Sequence, residues 1–157
     1  MFTFQETVPG VAEAIERECA RWEGTPYRPN HQTPQVGADC RSFAFAVYDK
    51  LRGEKTDVAT LPPDIALHQP ETARAFLRTL RTTFDAHKVQ DDTLEPGDAL
   101  VTALPLAGPT HILIAGKAPW FWHCTNRVGV QRIGLDMGGL VYHGHYRMRG
   151  RESWAVA

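Results

Sequence analysis

The sequence predicts an α+β domain in which N-terminal helices pack on a C-terminal antiparallel sheet. Two observations carry that expectation. The first half holds three segments with apolar residues at helical spacing, and after Leu94-Glu95-Pro96-Gly97-Asp98 the period becomes extended, in short β-branched or aromatic runs broken by Gly and Pro. Size supports it: 157 residues, 43% apolar and 22% charged, suffice for a single compact core.

Each element follows from its own residues. Pro9-Gly10 opens a first helix with Val11, Ala14, Ile15, Cys19 and Trp22 on one face, and Gly24 ends it. Residues 25–37 carry three prolines, an Asn and a Gly and read as a loop. From Cys40 the apolar positions Phe43, Ala44, Val47 and Leu51 recur at helical spacing up to Gly53. Residues 54–70 read as a loop with Pro62, Pro63 and Pro70. A third amphipathic helix follows, with Ala73, Phe76, Leu77, Leu80 and Phe84 facing inward and arginines outward. The strand runs are "ALVTAL", "THILIAG", "WFWHCT", "VGVQRIG" and "LVYHGHY". Residues 1–157 are expected to form one domain, with a helical insertion around 54–93.

A net charge of −1 gives no electrostatic reason to expect nucleic acid or an anionic membrane as partner. The patch Arg147, Arg149 and Arg151 reads as a solvated strand or loop. No apolar run is long enough to insert in a membrane, and the start of the chain has no signal-peptide pattern. Cys19, Cys40 and Cys124 are too few for a disulfide framework and suit a reducing compartment.

The chemistry centres on "GADCRSFAFAV", where Cys40 stands at the opening of a helix. A thiolate nucleophile needs a depressed pKa, and a helix N-terminus beside an imidazolium is one route, with values of about 3.5–7.5. In the hairpin "THILIAGKAPWFWHCT", a turn centred on Lys117 would put His111 directly opposite His123 on one face of the sheet. Cys40, His111 and His123 then fill the roles of nucleophile, base and orienter, provided the helix N-terminus meets that face. The alternative for Cys40 is a buried structural thiol, and for His111 a satisfied core histidine. Cys124 falls on the opposite face and reads as packing. His143-Gly144-His145 has no metal-ligand spacing, which leaves surface histidines as its reading. His31 reads as an exposed loop residue, and Trp120, Phe121 and Trp122 as core and cleft wall.

These residues carry a resemblance to the NlpC-type cell-wall peptidases, papain-like enzymes that cut peptidoglycan stem peptides. It runs from "WEGTPY" to about "RIGL" and rests on four blocks in order: "GTPY", "DC", "LEPGD", and "HILIAG" followed by "WHCTNRVGV". The resemblance implies a papain-like NlpC-type fold and a cysteine peptidase that hydrolyses the bond between D-glutamate and the diamino acid. It implies Cys40 as nucleophile, His111 as base and His123 as the polar partner. Tyr27 falls where the family keeps a hydroxyl near the nucleophile, and Asp39 where a substrate amine is often recognised. No metal or organic cofactor is expected.

Arg41 and Ser42 stand where the family usually has Ser and Gly. Arg41 puts a charge beside the nucleophile, to lower the thiol pKa further or to select an acidic group of the substrate. The long approach "YRPNHQTPQVGADC" resembles phage-tail and prophage members. With no leader, the expectation is a chain made in the cytoplasm and carried to the cell wall on a virion tail or by a secretion machine, with proteins of those assemblies as partners. Two other functions fit the same residues: a catalytically silent structural or binding module, and a Cys-His amidase or acyltransferase on another substrate.

Overall fold

The computed structural model describes residues 2–55, 70–103, 111–134 and 141–156. In chain order these form β1 (Thr3–Phe4), α1 (Val11–Ala20), β2 (Gln32–Thr33), β3 (Gly37–Ala38), α2 (Cys40–Arg52), α3 (Pro70–Thr82), β4 (Ala86–Lys88), β5 (Thr93–Leu94), β6 (Ala99–Ala103), β7 (His111–Ala115), β8 (Phe121–Thr125), β9 (Gly129–Ile133) and β10 (Val141–Met148), closed by a 3-10 turn at Arg151–Val156. Six strands make one antiparallel sheet in the order β4-β10-β6-β7-β8-β9. Helices first and sheet afterwards is the expected architecture. Most of the expected 54–70 loop lies outside the described residues.

Strand alternation sorts the sheet residues onto two faces. Val101, Ile112, Ile114, Trp122, Cys124 and Val130 join the main core with Ile15 of α1, Phe43 and Val47 of α2, and Phe76 and Leu80 of α3. α2 lies against β7 and β8, and α1 rests on α2 and the final turn. On the other face Leu100, Leu113, Ala115 and Phe121 form a smaller cluster with Leu94. Phe2 and Ile133 pack on its margin, and Phe4 of β1 tilts over Phe121 with ring centroids 6.2 Å apart.

The Arg147–Arg151 patch corrects the solvated reading. Arg147 pairs with Asp98 at 2.8 Å and Glu95 at 3.2 Å, and Arg151 reaches Glu95 at 3.4 Å. Asp98 is fully buried, so its charge needs that partner. Arg149 alone remains exposed, bridged to Asp85. His145 is corrected too: it is 0% exposed, held between the Tyr142 hydroxyl at 2.6 Å and the Thr93 carbonyl at 2.7 Å.

The "GTPY" segment docks on the far edge of the sheet. The Gly24 N–H donates to Val130 O, and the Val130 N–H returns a bond to Thr25 O. Gly129 makes this approach possible: its φ is +84°, and a Cβ there would lie 2.1 Å from Thr25 O. Gly129→Ala is therefore expected to lose more than the ~1–3 kcal/mol of a strained φ alone. Gly24→Ala, at φ +83° with open space around it, should lose only that strain. Urea denaturation of the two variants checks the difference.

Candidate active site

The start of α2 is fixed by a reciprocal cap. Asp39 Oδ1 accepts from the backbone N–H groups of Arg41 at 3.1 Å and Ser42 at 2.8 Å, and Ser42 Oγ accepts from the Asp39 N–H at 2.8 Å. Asp39 Oδ2 takes the Asn30 N–H at 2.7 Å, and Ser42 Oγ donates to His31 O at 2.6 Å. Gln32 donates to Ser42 O at 2.9 Å. The Pro/Gly-rich approach loop is thereby tied to the helix that Cys40 opens. Cys40 is 5% exposed, at the end of the helix where N–H dipoles favour an anion.

The Tyr27 backbone runs beside the approach to this end. It makes a parallel bridge to Ala38, with Ala38 N–H donating to Pro26 O at 3.1 Å and Arg28 N–H to Ala38 O at 2.8 Å. Cys124 Sγ donates to Ala38 O at 3.4 Å, which pins the residue two before Cys40 against β8. Arg41 is 2% exposed, so its guanidinium is enclosed by protein rather than presented to solvent. His31 is exposed, as expected.

The histidine hairpin has a different register from the expected one. The turn is centred on Ala118, with Gly116 N–H donating to Trp120 O, and Ile114 and Ala115 face Trp122 and Phe121. Each β7 residue therefore pairs two places further along β8 than a turn at Lys117 would give. A slip of two keeps every side chain on its face, where a slip of one would have reversed it. His111 and His123 become diagonal neighbours, still close enough to bond: His111 Nε2 lies 3.2 Å from His123 Nδ1, with ring centroids 5.3 Å apart.

The row extends beyond the two histidines. Gln131 faces His123 across β8 and β9, its side-chain amide nitrogen 3.3 Å from His123 Nε2. On the opposite flank, Thr102 of β6 pairs with His111, its Oγ1 3.4 Å from His111 O. Four strands thus contribute Thr102, His111, His123 and Gln131 to one polar row, next to the apolar Leu100, Leu113 and Phe121 of the same face. Gln131 had a signal in the sequence, since a turn in "TNRVG" centred on Arg127 sets it opposite His123.

Burial shapes the charges. His123 is 6% exposed, and loss of solvent lowers its pKa to about 4, so it is a neutral imidazole at neutral pH. Cys19 and Cys124 are 0% exposed. Burial, then Glu16 and Glu18, push the Cys19 thiol well above its ordinary value, which makes it unreactive. Trp120 is 39% exposed beneath the Arg132 guanidinium, 4.9 Å from its ring. Trp122 is core and hydrogen-bonds Glu16. Among the described residues no group of three His, Cys, Asp or Glu side chains could hold a metal ion.

The arrangement defines a class: an α+β domain whose central helix opens on a cysteine and packs against the two strands carrying a bonded histidine pair. That fold is the NlpC/p60 fold. The chain is similar to the NlpC/p60 domain of the peptidoglycan hydrolase SagA, at 21% identity over 87% of this chain and 98% of that one, with a TM-score of 0.58. It is also similar to an NlpC/P60 family protein from Bacillus cereus, at 19% identity, 87% and 40% coverage and a TM-score of 0.61. A lipoprotein-like NLP/P60 family protein from Staphylococcus aureus gives 18%, 92% and 43%, and 0.58. The chain therefore spans about two-fifths of the length of the last two. No protein-family model matches the sequence, and no curated protein does.

The depressed His123 pKa has a consequence for stability. The native ring binds its proton only near pH 4, whereas the unfolded ring binds it near 6.5. Stability from this group is complete above about pH 6.5 and is lost as pH falls toward 4. His123→Gln should flatten that part of the stability–pH profile, read as the urea midpoint between pH 7 and about 4.

Proposed function

We propose that the chain is a cysteine peptidase that hydrolyses an amide bond of peptidoglycan stem peptides, between D-glutamate and the diamino acid. The observation that carries this is the His111–His123 pair on the strands that support the helix opened by Cys40. The fold shared with the peptidoglycan hydrolase domain supports the substrate class.

His111 turns Nε2 toward His123, which leaves its other nitrogen, Nδ1, for the thiol in this reading. His111 is the first residue of β7, and the reading requires Cys40 to reach it around that end of the strand, because α2 packs on the sheet face opposite the histidine pair. Nδ1 takes the thiol proton, and the Cys40 thiolate adds to the carbonyl carbon of the scissile amide. The oxyanion is met by the Cys40 N–H at the helix start and the Tyr27 hydroxyl. When the C–N bond breaks, imidazolium Nδ1 gives its proton to the departing amine and a thioester remains. Water, deprotonated by Nδ1, then adds to the thioester, releasing the new carboxylate and restoring the thiol. Asp39 and Arg41 contribute through the helix start, the first as its cap and the second as a charge enclosed beside the nucleophile.

The proposal extends to the place of action. The approach "YRPNHQTPQVGADC" supports a tail-associated or machine-delivered enzyme, with phage-tail or secretion proteins as partners.

Incubation with muropeptides, followed by mass spectrometry, should give cleavage by the reduced wild type and none by Cys40→Ala. Equal turnover in the two, or none in either, rejects the peptidase. Thiol labelling of the native protein should modify Cys40 alone, with a titration midpoint below the ~8.5 of an unactivated thiol. A midpoint at or above 8.5 would instead favour the silent module.

A further inference from the structure

We propose that Gln131 is a positioning residue for the His111–His123 pair: its side-chain carbonyl holds the His123 proton on Nε2, so that His123 offers the lone pair of Nδ1 to His111. The inference rests on the peptidase reading for its catalytic consequence, but the tautomer itself can be measured without any substrate.

The argument is one of donor and acceptor counting. When His111 holds the thiol proton, both its ring nitrogens carry hydrogen. His111 Nε2–H then points at His123 Nδ1, 3.2 Å away, which must be an acceptor. A neutral imidazole has one donor and one acceptor nitrogen, so the proton of His123 belongs on Nε2. Burial keeps that ring neutral, so it has no second proton to spare. Nε2–H in turn needs an acceptor; the Gln131 atom 3.3 Å from it is the amide nitrogen, so the proposal requires the half-turn that brings the carbonyl oxygen to that place. The amide has a donor end and an acceptor end, exchanged by a half-turn about its last bond.

The two orientations have opposite consequences. With the amide nitrogen toward His123, the proton moves to Nδ1 and points at His111 Nε2. His111 can then accept there but cannot become doubly protonated without two hydrogens meeting. With the amide oxygen toward His123, the row runs from His111 through His123 to Gln131 as successive donations, and the imidazolium is accommodated. Gln131 is thus the end of the chain of hydrogen bonds that decides whether His111 can hold a second proton. Its side chain bonds His123, and it acts through that ring.

The test uses the full chain with nitrogen-15 in its histidines. In the wild type at neutral pH, the ring signals of His123 should be those of a neutral imidazole protonated at Nε2. Gln131→Glu, which offers oxygen alone, should keep the proton on Nε2. Gln131→Met, of similar length without hydrogen-bonding groups, should lose that preference and show an averaged signal. On muropeptides, Gln131→Met should lower kcat by about tenfold, the scale on which losing the partner of a metal-bound imidazole costs activity, with KM unchanged. A wild-type His123 protonated at Nδ1, or the same tautomer in Gln131→Met as in the wild type, overturns the proposal. If the tautomer responds as stated and no cleavage occurs in the wild type, the peptidase reading fails while the assignment of Gln131 stands.

Discussion

The rest of the site depends on the cap at Asp39. One carboxylate takes two N–H groups from the first turn of α2 and a third from Asn30 in the approach loop. A cap of this kind contributes about 0.5–2 kcal/mol to a helix, but its larger effect is geometric. It sets the residue at which helical backbone begins, and that residue is Cys40. The Ser42 hydroxyl completes the box and bonds His31 O, so it anchors the loop as well as the helix. A small residue without a hydroxyl at position 42 would leave the Asp39 N–H, inside a buried residue, without that bond.

The second constraint is the pleat. One face of β6 to β9 is apolar at one level and polar at the next, with Leu113 beside His111 and Phe121 beside His123 along their strands. The apolar level holds the register, because moving a strand by one residue would turn its polar side chains into the main core and its core side chains onto the other face. The polar level inherits that register without having to enforce it. This is why a hairpin paired two residues away from its expected register still brings the two imidazoles into bonding distance.

Much of the fold was legible because period and punctuation are local. The switch from helical to extended period after "LEPGD", and the faces of α1, α2 and α3, follow from residues near one another in sequence. The histidine hairpin was legible as residue types and order, and His111 and His123 do bond across β7 and β8. What was not legible depends on contacts between distant segments. Arg147 and Arg151 look solvated until Glu95 and Asp98 are brought beneath them, and His145 looks exposed until Thr93 and Tyr142 close on it. β4 consists of three residues, Ala86-His87-Lys88, too short for a periodic signal, and gains its strand character from pairing with β10. Arg41 reads as a charge offered to substrate, yet its side chain is enclosed, a fact set by how α2 lies on its neighbours.

On the proposed reading, the neutrality of His123 shapes how the site meets the cost of charge separation. A carboxylate in its place would attract the His111 imidazolium directly, at the cost of burying an anion on a sheet face lined by Leu113 and Phe121. A neutral imidazole avoids that burial cost and gives a hydrogen bond without a net charge. The stabilisation of the ion pair must then come mainly from the thiolate side, where the start of α2 directs its N–H dipoles at Cys40. The histidine row contributes direction more than charge, and direction requires that each ring present the correct nitrogen. The cap at Asp39 and the polar row on the sheet are therefore complementary. The first fixes the place where negative charge is tolerated, and the second fixes the orientation of the group that exchanges the proton.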